Sequence, residues 1–526
     1  MRRIILVLML IALGATEGRA QTTAALLDTV QRRSFFYFWN EANPANGLIK
    51  DRSTAGSPAS IAAVGFGLSA ICVGADHGWV TREAAGERVR TTLQTFWTGS
   101  QGSAASGTIG YKGFFYHFLN MNTALRFVEW SNVELSSIDT ALLLAGVLDA
   151  KQYFTGGDTT ETRIRELADS IYRRVDWEFM RDGQLGLRMG WLPTTGFADF
   201  GLWRGYNEAM ILYLLALGSP TYPVPTTTWN FWLTGYQWAT QYGQTYIIFP
   251  PLFGHQYSHC WVDFRYWRDA YNRSKGITYF ENSRRATLAQ RAYAAANPSG
   301  WVGYSDSLWG LTASDIKNGY LARGAPPPQN DDGTITPTAP IGSIAFAPDE
   351  VVPVVRNLYQ NYPLLWGPYG FRDAFNLSLE PVWYDTDYLG IDQGPIVLMI
   401  ENHLYSSVWE RFMLNPEIVT GLQRANFTVV TGVEGPPGPR PELLVWSQPN
   451  PFTRSTTVHF RLPAAGAVRL AVYDLAGRQV TRLLDETRPA GDYAVLWQPG
   501  DAPSGIYYVR LESAGRSVTQ RCVRLQ

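Results

Sequence analysis

A carboxyl group at the start of a strongly apolar helix is the feature of this sequence best suited to chemistry. Glu208 precedes the apolar run 209–217, Asn207 can cap the predicted helix, and Gly218 and Pro220 can end it. A helix that is apolar nearly all round is normally buried, so its N-terminal end is where it would meet solvent and ligand. The alternative is that Glu208 only complements the helix dipole.

The same placement occurs twice more. Asp139 lies in the first turns of an apolar helical pattern that Ser136 or Ser137 can cap, and Asp392 precedes another, with Pro395 suited to its first position. Three carboxylates at the mouths of apolar helices are harder to explain as dipole complements than one. We therefore expect the three to converge on one cleft.

The helices that must position these carboxylates alternate between apolar and polar patterns about six times. Such pairs bury the apolar member and expose the charged one, which predicts a mainly α-helical, closed double ring with functional loops at one end. The segment 183–191 is predicted to be a hairpin. The main helical patterns cover residues 26–41, 57–74, 81–96, 133–146, 159–177, 207–218, 279–297, 344–359 and 394–402.

Composition narrows the possible partners. The 526 residues are expected to form two or more units, and the net charge of −1 argues against a nucleic-acid or anionic-membrane partner. The 19 Trp and 28 Tyr suit the flat faces of sugar rings, although a large aromatic core accounts for many of them in any case.

Residues 1–20 are predicted to be a secretory signal peptide. Arg2 and Arg3 precede the apolar run 4–13, and small residues follow it. That run is too short to span a bilayer, and no later stretch approaches the ~20 apolar residues that a spanning helix needs.

No metal or cofactor site is expected. The three cysteines are far apart and odd in number, which does not indicate a disulfide framework. His255 and His259 are four residues apart, but no acidic residue lies at zinc-ligand spacing from them.

The sequence changes character near residue 431. Residues 431–442 are rich in Pro and Gly and are predicted to be a linker between a domain at 21–430 and a second one at 443–526. The second domain has short alternating runs separated by turn residues, which predicts a small antiparallel β-sandwich.

Several segments in order along the first domain carry a family resemblance. They are Phe38-Trp39, Asn46-Gly47-Leu48-Ile49, the helix start at Asp139, Trp203-Arg204-Gly205-Tyr206-Asn207-Glu208, Asp392-Gln393-Gly394-Pro395 and Glu401-Asn402. Residues from about 35 to 410 resemble the glycoamylase-like domain of bacterial glycoside hydrolases, a group that includes secreted endo-β-1,2-glucanases. The resemblance implies an (α/α)6 barrel and hydrolysis of a β-linked glucan with anomeric inversion.

The tail resembles the C-terminal sorting domains of the type IX secretion system. The matching segments are Asn450-Pro451-Phe452, Val472-Tyr473-Asp474-Leu475-Ala476-Gly477 and Ser504-Gly505-Ile506-Tyr507-Tyr508. This resemblance implies interaction with the secretion machinery, transit across an outer membrane, and then release or attachment to the cell surface. A plain adhesive β-module is the alternative.

Inverting glycoside hydrolysis needs a protonated acid for the leaving oxygen and a base for water, held roughly 6.5–9.5 Å apart. We assign Glu208 as the acid, because its aromatic and apolar surroundings would raise its pKa. Asp392 is the candidate base, and Asp139 is the alternative for either role. Glu134, Asp306 and Glu401 rank below these three, and Glu134 and Glu401 are expected to be ion-paired or hydrogen-bonded supports.

Arginines and aromatic residues are candidates for binding sugar hydroxyls and sugar faces, and a core role is the alternative for each Trp. The predicted substrate-binding residues are Trp203, Arg204, Tyr206, Arg265, Trp301, Trp309, Trp366, Arg372 and Trp383, with Trp130 and Trp191 as further stacking candidates.

The sequence thus predicts a secreted, monomeric β-glucan hydrolase that needs no cofactor. The preferred substrate is linear β-1,2-glucan cut internally. An exo-acting enzyme, an enzyme for another linkage, and a non-catalytic surface glycan-binding protein are the alternatives.

Overall fold

The computed structural model describes residues 22–429 and, within 443–525, all residues except 449, 451, 463, 476, 490, 514 and 515. The predicted signal peptide (1–20) and the whole predicted linker (431–442) lie outside the described residues.

Sixteen α-helices are described in residues 22–429, and two 3-10 helices accompany them at Tyr257–Cys260 and Pro363–Leu365. The α-helices are α1 (Thr23–Asn40), α2 (Ile61–Asp76), α3 (Arg82–Thr98), α4 (Ser137–Tyr153), α5 (Thr159–Arg174), α6 (Trp177–Arg181), α7 (Met210–Gly218), α8 (Thr227–Leu233), α9 (Phe253–Gln256), α10 (Ala270–Lys275), α11 (Tyr279–Ala296), α12 (Thr338–Ile341), α13 (Pro348–Asn361), α14 (Gly390–Leu404), α15 (Ser407–Phe412) and α16 (Pro416–Arg424).

The longest inner helices are α2, α4, α7 and α14, which are buried along nearly their whole length. Helices α1, α3, α5 and α13 bury one face only and lie outside them. Helix α2 contacts α4 and α14, α4 also contacts α7, and α1 contacts α14, so the first and last long helices are neighbours. This alternation of inner and outer helices is consistent with the predicted (α/α)6 barrel.

Two pairs of helices approach each other backbone to backbone through glycine. A Cβ atom added to Gly146 of α4 would lie 2.0 Å from the carbonyl oxygen of Gly65 of α2. A Cβ atom on Gly218 of α7 would likewise lie 2.0 Å from the carbonyl oxygen of Glu417 of α16. No other residue fits at these crossings unless the helices move apart.

Short antiparallel strands connect the helices. They are β1 (Ala59–Ser60), β2 (Gly110–Tyr111), β3 (Phe114–Phe115), β4 (Phe118–Leu119), β5 (Leu135–Ser136), β6 (Gly190–Trp191), β7 (Trp238–Gln241), β8 (Gln244–Ile247), β9 (Trp267–Arg268), β10 (Ala313–Ile316), β11 (Gly319–Ala322), β12 (Thr334–Ile335), β13 (Trp366–Gly367), β14 (Gly370–Phe371), β15 (Phe375–Asn376), β16 (Trp383–Tyr384) and β17 (Thr428–Val429). Strands β10 and β11 form a hairpin, and β12, β15 and β16 form a three-stranded sheet.

The tail contains two antiparallel sheets that share an apolar cluster around Phe460, Leu470 and Val509. One sheet has the order β18-β19-β22 and the other β21-β20-β23-β24, consistent with the predicted small sandwich. The strands are β18 (Leu444–Gln448), β19 (Thr456–Leu462), β20 (Gly466–Tyr473), β21 (Gln479–Arg488), β22 (Gly491–Trp497), β23 (Gly505–Ser513) and β24 (Arg516–Arg524). Among the described residues, no helix is long and apolar enough to cross a membrane.

The predicted start of α14 at Pro395 was wrong. The helix begins at Gly390 and contains Pro395 in its interior. Proline has no N–H to donate to the carbonyl four residues earlier. The hydroxyl of Tyr257 donates to that carbonyl of Ile391 instead, at 3.3 Å, which compensates for the missing bond.

The predicted hairpin at 183–191 was also wrong. Strand β6 pairs with β5, so Gly190 lies opposite Ser136 rather than opposite a residue of its own segment. The turn-rich composition indicated that the chain reverses here, but it did not indicate which strand β6 would pair with.

Replacing Gly146 with Ala should destabilise the barrel by about 1–3 kcal/mol, because the new methyl group meets backbone atoms of α2. Gly86→Ala in α3 is the matched control, since its nearest neighbour would lie at an ordinary 3.5 Å. The control should change stability by less than about 1 kcal/mol, or raise it. Urea denaturation of both variants measures the difference, and equal losses would contradict the close crossing.

Candidate active site

A pocket of about 420 Å³ opens at the N-terminal ends of α4, α7 and α14. Its walls combine acidic, basic and aromatic side chains with the apolar starts of the inner helices. The lining residues are Asp51, Arg52, Ser60, His117, Phe118, Trp130, Ile138, Asp139, Leu142, Glu208, Phe253, Tyr257, Ala313, Tyr320, Leu389 and Ile391.

Glu208 lines this pocket from the turn that precedes α7, whereas the sequence placed it in the first turn of the helix. Asn207 does not cap α7, because its side chain accepts from the N–H of Ala209 in a local turn. Ser258 takes over: its hydroxyl accepts from the N–H of Ile211 at 3.0 Å and donates to the carbonyl of Glu208 at 2.9 Å. A residue from a neighbouring element therefore fixes the backbone that carries Glu208.

The carboxyl of Glu208 is in an environment that favours its protonated form. Its Oε2 is buried and has no hydrogen-bond partner among the described residues. Burial raises the pKa of Glu208 to about 7; a backbone hydrogen bond opposes this shift, and the charge of Asp139 adds to it. A carboxyl group with this pKa can still hold a proton near neutral pH.

Asp139 lines the same pocket from the first turn of α4, which Ser136 caps as predicted. The Ser136 hydroxyl donates to Asp139 Oδ2 at 2.5 Å, and His117 Nε2 lies 3.6 Å from the same oxygen. Burial raises the pKa of Asp139, while the positive charge of His117 and the hydrogen bond from Ser136 oppose that shift.

His117 is held between two carboxylates. Its Nδ1 lies 3.0 Å from Glu134 Oε1, and its ring stacks on Phe118 at 3.9 Å. Burial alone would lower the pKa of His117, but the charges of Asp139 and Glu134 raise it to about 9. His117 is therefore a cation in the pocket wall at neutral pH, and Glu134 is the ion-paired support that the sequence predicted. Glu401, the other predicted support, pairs with His77 at 2.8 Å.

A second charged group, Asp51 with Arg52, was not among the predicted site residues. Arg52 Nη1 lies 2.9 Å from both carboxylate oxygens of Asp315, and its Nε contacts Asp51 at 3.2 Å. The one sequence signal was position: Asp51 and Arg52 lie shortly after the segment 46–49, which carries part of the family resemblance.

Aromatic side chains flank the pocket mouth. Trp130 is 46% exposed and Tyr320 is 45% exposed although both line the pocket, so their ring surfaces are open to a ligand. Trp130 packs edge-on against Phe118 and Phe127, which holds it in place. Of these, the sequence singled out only Trp130; Tyr320 lies at the tip of the β10–β11 hairpin and Tyr257 on a 3-10 helix, neither of which gives a periodic signal.

Asp392 occupies the first turn of α14, whereas the sequence placed it just before the helix; it is 3% exposed and does not line the pocket. Its backbone carbonyl accepts from Thr338, and its Oδ2 has no hydrogen-bond partner. The neighbouring Ile391 and Leu389 do line the pocket, so Asp392 lies just behind the wall.

The predicted substrate-binding residues lie outside the pocket lining. Trp203 and Tyr206 serve the scaffold: Trp203 Nε1 donates to Ser137 at the start of α4, and Tyr206, 4% exposed, shares a hydrogen bond with Ser283. Trp309 is 0% exposed, so it is a core residue and the prediction of a sugar contact for it was wrong.

The three predicted arginines are engaged elsewhere. Arg265 pairs with Asp263 and lies over Trp409, Arg372 donates to the Thr386 carbonyl, and Arg204 donates to Thr234. Trp301, Trp366 and Trp383 are partly buried at positions separate from the pocket lining. Asp306 lies 3.5 Å from Arg291, and its side chain is 63% exposed.

The arrangement brings a protonatable carboxyl, Glu208, and a second carboxyl, Asp139, to one partly enclosed cavity with aromatic rings at its mouth. Such a set can donate a proton to a leaving oxygen and accept one from water. Asp51 is a third pocket carboxyl, but it is bound to Arg52.

Comparisons with known proteins agree on the first domain. Residues 201–416, which include Glu208 and Asp392, match the family described as "Glycoamylase: Putative glucoamylase". A structure of a "putative glucoamylase" from Bacteroides uniformis is 36% identical, with a TM-score of 0.73, and the match covers 78% of this chain and 99% of that one.

Two further relatives have names that specify a substrate. An endo-β-1,2-glucanase from Chitinophaga pinensis, solved with sophorotriose and glucose, is 28% identical with a TM-score of 0.71, over 78% of this chain and 99% of that one. An exo β-1,2-glucooligosaccharide sophorohydrolase (non-reducing end) from Parabacteroides distasonis is 31% identical over 435 residues, 77% of this chain. The match spans 58% of the length of that curated relative.

The identity to the Bacteroides uniformis protein extends over 99% of that protein and 78% of this chain. The chain therefore belongs to the glycoamylase family.

Proposed function

We propose that this protein is a glycoside hydrolase that cleaves β-1,2-glucan with inversion, and that Glu208 is its general acid. The observation that carries the proposal is that Glu208, with its pKa raised to about 7, faces the same pocket as Asp139. The similarity to two proteins named as β-1,2-glucan hydrolases supports the choice of substrate.

The general base is one of two carboxylates. Asp139 lies in the pocket wall beside Glu208, where water and a sugar can reach it. Asp392 is the base predicted from the sequence, and its unpartnered oxygen could accept a proton, but it does not line the pocket. We favour Asp139 because it is the one already exposed to the pocket.

We propose internal cleavage rather than release of units from a chain end. The match to the Chitinophaga pinensis endo-enzyme covers 99% of that protein, whereas the exo-acting relative is much longer than the part that matches. Exo action remains the second candidate, favoured by the slightly higher identity to the sophorohydrolase. A glycan-binding protein without catalysis is the third, and the presence of Glu208 and Asp139 in one pocket argues against it.

We also propose that the protein is secreted, as a monomer, with residues 443–526 engaging a type IX secretion apparatus. Support comes from the signal-like sequence at 1–20 and the tail segments quoted above. Expression in a bacterium that has this apparatus, with and without 443–526, followed by fractionation, tests the proposal. Equal export of both forms would contradict the role of the tail.

Glu208→Gln should lower kcat on β-1,2-glucan by about 10²–10⁴-fold, because the leaving oxygen loses its proton donor. The wild-type rate should fall as pH rises through about 7, since the acid is protonated only below its pKa, and the variant should lack this limb. A β-1,2-linked substrate with a dinitrophenyl leaving group should restore most of the rate, because that group leaves without protonation.

Glu166→Gln is the matched control, since Glu166 is exposed on the outer helix α5 and pairs with Arg163. It should retain wild-type kcat and pH dependence. Retention of the alkaline limb by Glu208→Gln would remove the assignment.

Asp139→Asn and Asp392→Asn separate the two candidate bases. Loss of the base should lower kcat by about 10²–10⁴-fold on both the glucan and the dinitrophenyl substrate, because water still needs activation whatever the leaving group. We expect this result for Asp139→Asn. The same loss for Asp392→Asn, with Asp139→Asn retaining activity on the activated substrate, would transfer the role to Asp392.

Incubation with linear β-1,2-glucan should give a range of short oligosaccharides early in the reaction, as internal cleavage requires. Chromatography of the products over time measures this, and NMR of the first product shows the anomer formed. A single disaccharide from the outset would indicate exo action, and unchanged polymer with measurable binding would indicate a lectin.

A further inference from the structure

Behind the pocket wall, three aspartates from separate segments come together in the interior. Asp315 lies on β10, Asp373 between β14 and β15, and Asp385 directly after β16. One carboxylate oxygen from each lies within 4.8 Å of the other two, and the residues are 6%, 2% and 8% exposed. Buried carboxylates so close together repel one another unless a positive charge or protons neutralise them.

Only some of the oxygens of these three carboxylates have a hydrogen-bond donor or a cation as partner among the described residues. Arg52 binds Asp315, and this is the one salt bridge that the three aspartates make within the described part of the chain. The N–H of Asp315 donates to Asp373 Oδ2 at 2.7 Å, and the N–H of Thr386 donates to Asp385 Oδ1 at 2.7 Å. Asp373 Oδ1 and Asp385 Oδ2 are buried, and no N–H or hydroxyl group in the described part of the chain donates to either oxygen.

A fourth carboxyl, from a different element, points toward the same place. Asp392 of α14 is 3% exposed and its carboxyl lies within hydrogen-bonding reach of Asp373, but no N–H or hydroxyl group of the described residues donates to its Oδ2. Asp392 lies on a helix, outside the segments that carry the three aspartates. The excess of buried acceptor oxygens over hydrogen-bond donors therefore involves separate elements and does not result from the conformation of one loop. Four carboxyl groups thus offer three unpartnered buried oxygens and share one guanidinium.

We propose that Asp315, Asp373 and Asp385 bind one Ca²⁺ ion, with Asp392 completing the acidic shell. Hard divalent cations take oxygen ligands, and Ca²⁺ accepts about six to eight of them in flexible geometry, which suits carboxylates donated by three loops and a helix. The bound ion would supply the charge that the protein does not, and would tie the β10–β11 hairpin to the β15–β16 sheet and to the start of α14.

This site is separate from the acid–base pair of the proposed function. The hairpin that it would anchor carries Tyr320, which lines the pocket mouth. The ion would therefore support the pocket wall through structure and take no part in the reaction. No sequence pattern indicated this site, since the three aspartates lie 58 and 12 residues apart in chain segments with no recognisable ligand spacing.

The experiment compares EDTA-treated, full-length protein with and without added Ca²⁺. Differential scanning fluorimetry should show a saturable rise in Tm of about 3–8 °C at a Ca²⁺ concentration ~100-fold above its dissociation constant. Isothermal titration calorimetry should give about one ion per chain. No heat and no shift in Tm at millimolar Ca²⁺ would overturn the proposal.

Asp385→Asn should abolish both signals, because the amide oxygen is a neutral and weaker ligand; Asp373→Asn serves if that variant does not fold. Asp349→Asn, on the exposed surface of α13, is the matched control and should respond to Ca²⁺ like the wild type. If protons neutralise the cluster instead, Asp385→Asn should be as stable as the wild type or more so, without any response to Ca²⁺ in either protein. That result, or an unaltered Ca²⁺ response in Asp385→Asn, would refute the site.

Glu208→Gln keeps the two proposals distinguishable. It should bind Ca²⁺ like the wild type while losing hydrolysis, because Glu208 lies outside the cluster. A Ca²⁺ response that disappears in Glu208→Gln would place the ion in the pocket and contradict the proposed location.

Discussion

The direct contact between the backbones of α2 and α4 determines the geometry on which the pocket depends. Gly65 and Gly146 leave no space between the two helices, so neither can slide or rotate without losing the fit. Both helices begin at a serine cap: Ser60 lines the pocket, and Ser136 donates a hydrogen bond to the pocket residue Asp139. Because Asp139 lies three residues beyond Ser136, the crossing of the two helices also fixes the position of the Asp139 carboxylate along the axis of α4.

The charges around the pocket are distributed unevenly, and this separates the carboxyl groups by function. Asp139 faces His117, and Asp51 is bound to Arg52, so each has a cation that favours its ionised form. Glu208 makes no ion pair within the described residues, and one of its oxygens is buried without a partner. Burial raises the pKa of both carboxyl groups, but the results differ. Glu208 is the pocket carboxyl that best retains a proton, whereas the charge of His117 opposes the rise in the pKa of Asp139.

The sequence predicted what depends on local pattern. Alternating apolar and amphipathic segments gave the inner and outer helices, and the positions of Glu208 and Asp139 at helix starts placed them at one end of the ring. Residues such as Arg52, His117 and Tyr320 escaped prediction because loops and a hairpin bring them to the pocket, and those elements carry no periodicity. Trp309 shows the opposite error, since residue type alone does not distinguish a core indole from an exposed one. At Pro395, a tertiary hydrogen bond from Tyr257 overrode the local rule that favours proline at a helix start.

The packing of α1 against α14 has a consequence for how the protein is made. Gln31 of α1 donates to Glu401 and to the Val397 carbonyl of α14, so the two ends of the helical ring are joined by residues about 370 positions apart. A ribosome that adds about 5–20 residues per second must therefore work for tens of seconds between the emergence of one partner and the other. During that interval α2 and α4 can pack against each other, but the surface of α2 that contacts α14 stays uncovered. The nascent chain is therefore exposed to aggregation until α14 closes the helical ring.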